Sequence, residues 1–203
     1  MQIILVRHGE SIGNFENRLQ GQADYDLTEL GRNQARRTAD RLHALGTRAV
    51  YCSHLLRAHA TAQAIADRLG LEPVITQNVA EYHFGEMSGS TYAEIRERLG
   101  AIANPAERVY PGEEGRDAFY ARVTNAVFRI AEDHPDDTVA VVSHGGPIAL
   151  FCQHVLGLPY KRPMPFSIDN CSLNVIEVAP NRSGERALRL VRLNDTCHLD
   201  ELT

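Results

Sequence analysis

Two histidines in this chain share a local setting. Each closes a short apolar run and precedes glycine, in Leu5-Val6-Arg7-His8-Gly9 and in Val142-Ser143-His144-Gly145-Gly146. An imidazole beside a guanidinium supplies a nucleophile and a positive charge together. That pairing suits attack on a phosphate dianion, which repels nucleophiles until fixed cations and N–H donors neutralise its oxygens. The Arg7 charge favours a neutral His8 able to attack, and Gly9 is expected to let the backbone approach the ligand. His144 with Gly145 precedes a helix, where free N–H groups and the dipole suit an oxyanion.

Two further residues fit the same chemistry. Arg57, in Ser53-His54-Leu55-Leu56-Arg57-Ala58, falls at the start of a predicted helix. A cation there opposes the helix dipole, and a bound anion would rationalise it. Glu81 precedes Tyr82-His83-Phe84-Gly85; a carboxyl sheltered by aromatic rings near a dianion would hold its proton and serve as a general acid. Taken alone, each has a plainer reading: a strand-end histidine bonded to backbone, a satisfied core histidine, a solvent-facing arginine, a surface carboxylate.

The elements that must position these residues alternate between strand and helix. Gln2 to Val6, Ala49 to Cys52, Pro73 to Thr76 and Thr138 to Val142 read as strands. A helix from Thr28, its cap, to Leu45 turns Leu30, Ala35, Ala39, Leu42 and Leu45 inward. Ser53 is expected to cap a second helix running to Leu69. Further helices cover Tyr92 to Leu99, a segment through Phe119, Val123, Val127 and Ile130 that stops before Pro135, and Pro147 to Leu156. Ser172 to Val178 and Ala187 to Leu193 form a closing hairpin around Asn181 to Gly184. This order predicts a mainly parallel sheet with helices on both faces and ligands beyond the strands' carboxyl ends. Both histidine motifs fall at such ends. No repeat or linker divides the chain, so residues 1–203 read as one domain. Pro105, Pro111, Gly112 and Gly115 mark a lid-like segment around residues 86–117.

Composition narrows the partners. The net charge of −5, from 21 basic and 26 acidic residues, argues against nucleic acid, which calls for a clustered basic face. A small phosphate ester needs only a few local cations. No secretory signal or membrane-length apolar run appears, and four dispersed cysteines without C-x-x-C spacing fit a reducing cytoplasm better than disulfides or zinc. Neither a metal nor another cofactor is expected, and a homodimer is compatible with the sequence.

The motifs together resemble the histidine phosphatase, or phosphoglycerate mutase-like, superfamily. The likeness runs through Leu5 to Ser11 with Asn14, Gln20-Gly21, Asp26 to Gly31, Tyr51-Cys52-Ser53, Leu56-Arg57-Ala58, Thr61-Ala62, Glu81 with Phe84-Gly85 and Gly89, and Val142 to Gly146. It implies a three-layer α/β/α sandwich and a metal-independent, two-step reaction. His8 would become phosphohistidine, while Arg7, Arg57 and His144, helped by Asn14, Gln20, Gly21 and Gly145, hold the transferring oxygens. Glu81 would protonate the leaving group and then activate water. Where phosphatases of this group usually carry Pro-Gly-Gly-Glu-Ser, this chain has Pro111-Gly112-Glu113-Glu114-Gly115, and His54 replaces the usual proline after Ser53. The absence of a long basic insertion after Glu81 and the ending Leu193 to Leu199 favour the phosphatase branch. A phosphoglycerate mutase and a phosphate-binding adaptor with little turnover are the alternatives.

Overall fold

The computed structural model describes residues 1–99, 110–161, 165–180, 183 and 186–202. A six-stranded sheet runs in the order β3-β2-β4-β1-β5-β6. Its strands are β1 (Gln2–Arg7), β2 (Ala49–Cys52), β3 (Val74–Ile75), β4 (Thr138–Ser143), β5 (Leu173–Pro180) and β6 (Arg186–Asp195). The first four pair in parallel, whereas β5 runs antiparallel to β1 and β6 to β5. This is the mainly parallel sheet with an antiparallel C-terminal hairpin that the sequence predicts. Of the hairpin's turn, Asn181, Arg182 and Gly184 lie outside the described residues.

Side-chain alternation in the two central strands builds the layers. Ile3, Leu5, Val139 and Val141 point into one apolar cluster, shared with α5 (Arg116–Asp133) and α6 (Gly145–Val155). Ile4, Val6, Ala140 and Val142 point to the other face, onto α2 (Glu29–Ala44) and α3 (Leu56–Leu69). Residues i and i+2 of a strand share a face, so a strand covered on both sides must be apolar throughout. The unbroken runs of β1 and β4 have that cause. Two short helices, α1 (Ile12–Phe15) and α4 (Tyr92–Leu99), lie over the carboxyl-end loops.

Local chemistry sets the helix boundaries. The Thr28 side chain caps α2 by accepting from Gly31 N. The inward stripe of α2 is Gly31, Ala35, Thr38, Ala39 and Leu42. Leu30 departs from the expected stripe and is 38% exposed, because one residue's rotation of about 100° carries it off the face that Gly31 begins. Nor does Ser53 cap α3. The cap position is Leu55, and Asp24 reaches in from a distant loop so that its Oδ1 accepts from Leu56 N at 2.8 Å.

The lid-like segment is described except for residues 100–109, which include Pro105. Its far end folds back against Glu81's neighbours: Glu86 N donates to Pro111 O (3.0 Å) and Glu114 N to His83 O (3.2 Å). Gly85 has φ +55°, and any side chain there would strike the Pro111 carbonyl. All four cysteines are free, three of them buried. Among the described residues no helix is long and apolar enough to cross a membrane.

Candidate active site

Parallel pairing of β1 with β4 places Arg7 opposite Ser143, so His8 and His144 emerge side by side past two strand ends. Their ring centroids are 5.1 Å apart. Both are buried, His8 at 3% exposure and His144 at 0%. The His8 backbone N–H donates to Ser143 O (3.0 Å). Its ring Nδ1 is 2.7 Å from Gly9 O, a carbonyl that can only accept. The hydrogen bond therefore assigns the proton to Nδ1 and leaves the Nε2 lone pair facing the Arg57 Nε–H at 3.2 Å. Burial, then the charges of Arg57 and Arg7, hold the His8 pKa well below 6.5. The ring is neutral at pH 7, and its unprotonated nitrogen lies among cations.

Gly9 serves a different neighbour from the one expected. A side chain on it would strike the carbonyl oxygen of Gly31 in α2, so this glycine lets the loop after His8 and α2 touch backbone to backbone. The loop is also tied to α3 through Gly9 N and Thr61 Oγ1 (3.1 Å).

Arg57 is 1% exposed and held by a rigid fork. One terminal nitrogen donates to Ala23 O (2.9 Å), the other to Gly21 O (2.7 Å). Burial brings its pKa down to about 10, a value that the charges of Glu81 and Asp24 support against Arg7; the guanidinium stays charged at neutral pH. Arg7 donates from one terminal nitrogen to Ile168 O at 2.5 Å, while its buried Nε has no protein partner. His144 likewise has neither ring nitrogen bonded. Burial, followed by Arg57, His8 and Arg7, lowers its pKa well below 6.5. Buried polar atoms rarely go unpaired; the Arg7 Nε–H and the one N–H of a neutral His144, beside the Arg57 charge, could donate to an anion.

Glu81 lies across the start of α6. Its Oε1 accepts from Tyr82 N (2.8 Å) and its Oε2 from Gly146 N (3.1 Å). A side chain on Gly146 would collide with that carboxylate. One N–H at the start of α6, that of Gly146, is thus occupied by Glu81, whereas the sequence names Gly145. The remaining predicted groups fall into place around them. The Asn14 Oδ1 accepts from Ser11 N (3.2 Å) and from Asn170 Nδ2 (3.3 Å), leaving the Asn14 Nδ2 free to donate. Gln20 is buried, its Oε1 accepting from Ser11 Oγ (2.8 Å). Gly21, at φ +51°, packs so closely on Phe84 and Ser88 that no side chain fits.

A cavity of about 680 Å³ opens over this cluster. Arg7, His8, Asn14, Gln20, Gly21, Arg57, Glu81 and Gly145 all line it; His144 sits beside His8 behind the wall. Among the described residues, no three His, Cys, Asp or Glu side chains gather as a metal cage. Sequence reasoning missed the loop before β5. There Ile168 anchors Arg7, and Asn170 Nδ2 donates to His8 O (2.9 Å) as well as to Asn14. The only local signal was an asparagine in a turn before a strand. It also missed Arg116, which lines the same cavity.

Residues 3–196 match the model of the histidine phosphatase superfamily (branch 1). The chain is 33% identical over 207 residues to phosphoserine phosphatase 1 of Hydrogenobacter thermophilus, covering 99% of this chain and 95% of that one. It is 41% identical over 190 residues to phosphoglycerate mutase-like protein 4 of Arabidopsis thaliana, covering 87% and 79%. A mycobacterial glucosyl-3-phosphoglycerate phosphatase, solved with VO3, superposes with a TM-score of 0.82 at 30% identity, over 96% of this chain and 99% of that one. With its two strand-end histidines, its buried guanidiniums and this match over nearly its whole length, the chain belongs to the histidine phosphatase superfamily, whose activities are of the phosphatase or phosphoglycerate mutase-like kind.

Proposed function

We propose that this protein hydrolyses the phosphate monoester of a small metabolite through a phosphohistidine on His8. The observation that carries the reading is the His8 ring itself. Its Nδ1–H is pinned to Gly9 O and its Nε2 faces charged, buried donors. In the first step Nε2 bonds to phosphorus while the ester P–O bond breaks. The Arg57 Nε–H passes from Nε2 to a phosphoryl oxygen, joined by Arg7, His144 and the Asn14 amide. The Gly9 carbonyl steadies the positive charge that grows on the ring. Glu81 gives its proton to the leaving alkoxide, then takes one from the water that attacks phosphorus and frees His8. Guanidinium charge stands where other phosphatases use a metal, so chelator treatment should leave the rate unchanged.

The test is labelling with a substrate carrying radioactive phosphate. Wild-type protein should retain an acid-labile label, and His8→Ala should lose both label and turnover; substantial activity in that variant would end the proposal. The likeness to the Arabidopsis phosphoglycerate mutase-like protein favours a second reading, in which the phosphoryl group returns to another hydroxyl of the substrate rather than to water. Measuring free phosphate against isomerised ester separates the two.

A further inference from the structure

Glu81 stands on a stretch without regular structure: residues 80–84 belong to neither strand nor helix. No ladder fixes the peptide that carries the proposed acid, so its polar groups must find partners elsewhere. From those partners we infer that the ion pair of Glu114 with Arg122 positions the Glu81 carboxyl, setting where a leaving oxygen can receive its proton. Arg122 belongs to α5, and Glu114 lies in the loop just before it. They meet in a two-pronged contact. Arg122 Nε donates to Glu114 Oε2 (3.1 Å) and a terminal nitrogen to Glu114 Oε1 (2.8 Å). The Arg122 and Glu114 side chains are only 19% and 18% exposed, and the guanidinium lies 5.2 Å over the Phe119 ring.

The rest of the guanidinium fork serves the peptide of Glu81. Arg122 donates to the carbonyls of Asn78 (3.0 Å), Ala80 (3.0 Å) and Glu81 itself (3.4 Å). Glu114 holds the other side: its Oε1 accepts from His83 N (2.9 Å), and its backbone N–H donates to His83 O (3.2 Å). One pair of charges thus grips the chain before and after Glu81. Deeper anchors set only how far the segment sinks. Val79 and Tyr82 are buried in the core, and Val79 O accepts from Ser143 Oγ (2.6 Å). Rotation of the peptide planes between those anchors falls to Arg122 and Glu114, aided by Gln22, whose Nε2 donates to Glu81 O (3.0 Å). The carboxylate follows those planes. The Glu81 carbonyl and the Tyr82 N–H share one planar peptide unit, and that N–H is the donor to Glu81 Oε1. Turning the unit moves the carboxylate with it, and a misplacement of about 1 Å can cost about 10²-fold in rate.

The inference rests on the acid role proposed above for Glu81, so one measurement reads the seat of the carboxylate and another reads the chemistry. In nitrogen-15-labelled protein the Gly146 amide reports its bond to Glu81, with Glu81→Ala as the reference for that bond broken. Arg122→Gln and Glu114→Gln should each carry the Gly146 resonance most of the way to the reference. Glu114→Gln keeps the side-chain size and one acceptor, so it serves if Arg122→Gln does not fold. Single-turnover phosphorylation by 2-(4-nitrophenyl)ethyl phosphate would then be compared with that by p-nitrophenyl phosphate, whose leaving group needs no proton. The alkyl-to-aryl rate ratio should fall about 10- to 100-fold in both variants, and no further when either substitution is added to Glu81→Gln. General damage to the fold slows both esters and cancels in the ratio. In either folded variant, a Gly146 resonance at its wild-type position overturns the inference. So does an unchanged ratio where Glu81→Gln lowers it, or a further drop in the Glu81→Gln background. A Gly146 shift as expected, with the ratio unaltered in Glu81→Gln itself, upholds the hold of the ion pair and overturns the acid role alone.

Discussion

Two neutral histidines sealed beside two guanidiniums make the fold sensitive to acid. In the unfolded chain both His8 and His144 take up a proton near pH 6.5. In the folded chain burial and the neighbouring charges hold their pKa values well below that. A lowered folded pKa means that the unfolded state binds more protons below pH 6.5, so each histidine subtracts stability as pH falls. At pH 5.0 a histidine that stays neutral when folded costs RT ln(1 + 10^1.5), about 2 kcal/mol, and the pair about 4 kcal/mol, against almost nothing at pH 7.5. Other groups titrate in the same window, including His154 and His198, whose pKa values burial also lowers. The measurement is therefore a difference. Urea unfolding at pH 7.5 and 5.0 should show wild type losing about 4 kcal/mol more than a His8→Gln/His144→Gln double variant. Parallel losses in the two proteins would show that these rings are charged in the native state, and the argument for a neutral nucleophile would fail with them.

Other expectations follow from individual contacts. Arg57→Ala should cut kcat by about 10²–10³, the usual cost of one preorganised donor; a rise in KM alone would assign Arg57 to ground-state binding. Arg57→Lys should rescue little of that loss, because an ammonium cannot reach His8, Gly21 and Ala23 together. Glu81→Gln should slow phosphorylation by alkyl phosphates far more than by p-nitrophenyl phosphate in single-turnover assays, since nitrophenolate leaves without a proton; equal losses would remove Glu81 from the acid role. Asn170→Ala removes one of the bonds that orient the Asn14 amide and should lower kcat/KM by about tenfold in wild type but much less in an Asn14→Ala background; additive losses would leave Asn170 as scaffold only.

The sequence made the sheet legible where physical constraint was local. β1 and β4 are apolar at every interior position because both faces are covered, and Thr28 caps α2 from within its own turn. That Arg7, His8, Arg57 and His144 belong together came from the family resemblance; each lies near an element end, but its own setting had a plainer reading. Contacts that span distant segments were not legible. The cap of α3 comes from Asp24, not from the neighbouring Ser53, and the requirement for glycine at position 9 arises from α2. Asn170 acts on His8 across 162 positions of chain, a separation that leaves no spacing signature.

The position of β1 has a consequence for biosynthesis. The strand that leads into His8 is made well before β4 and β5, yet it is hydrogen-bonded between them, and their residues follow by more than a hundred positions. Pairings so remote must close long loops before they gain contact energy, which slows folding. On the ribosome, β1 emerges with neither sheet neighbour, and Arg7 lacks the Ile168 carbonyl that orients it. A nascent chain arrested near residue 160 would already contain every proposed catalytic side chain. It should still take up no phosphoryl label, because the loop that aims them has not been translated.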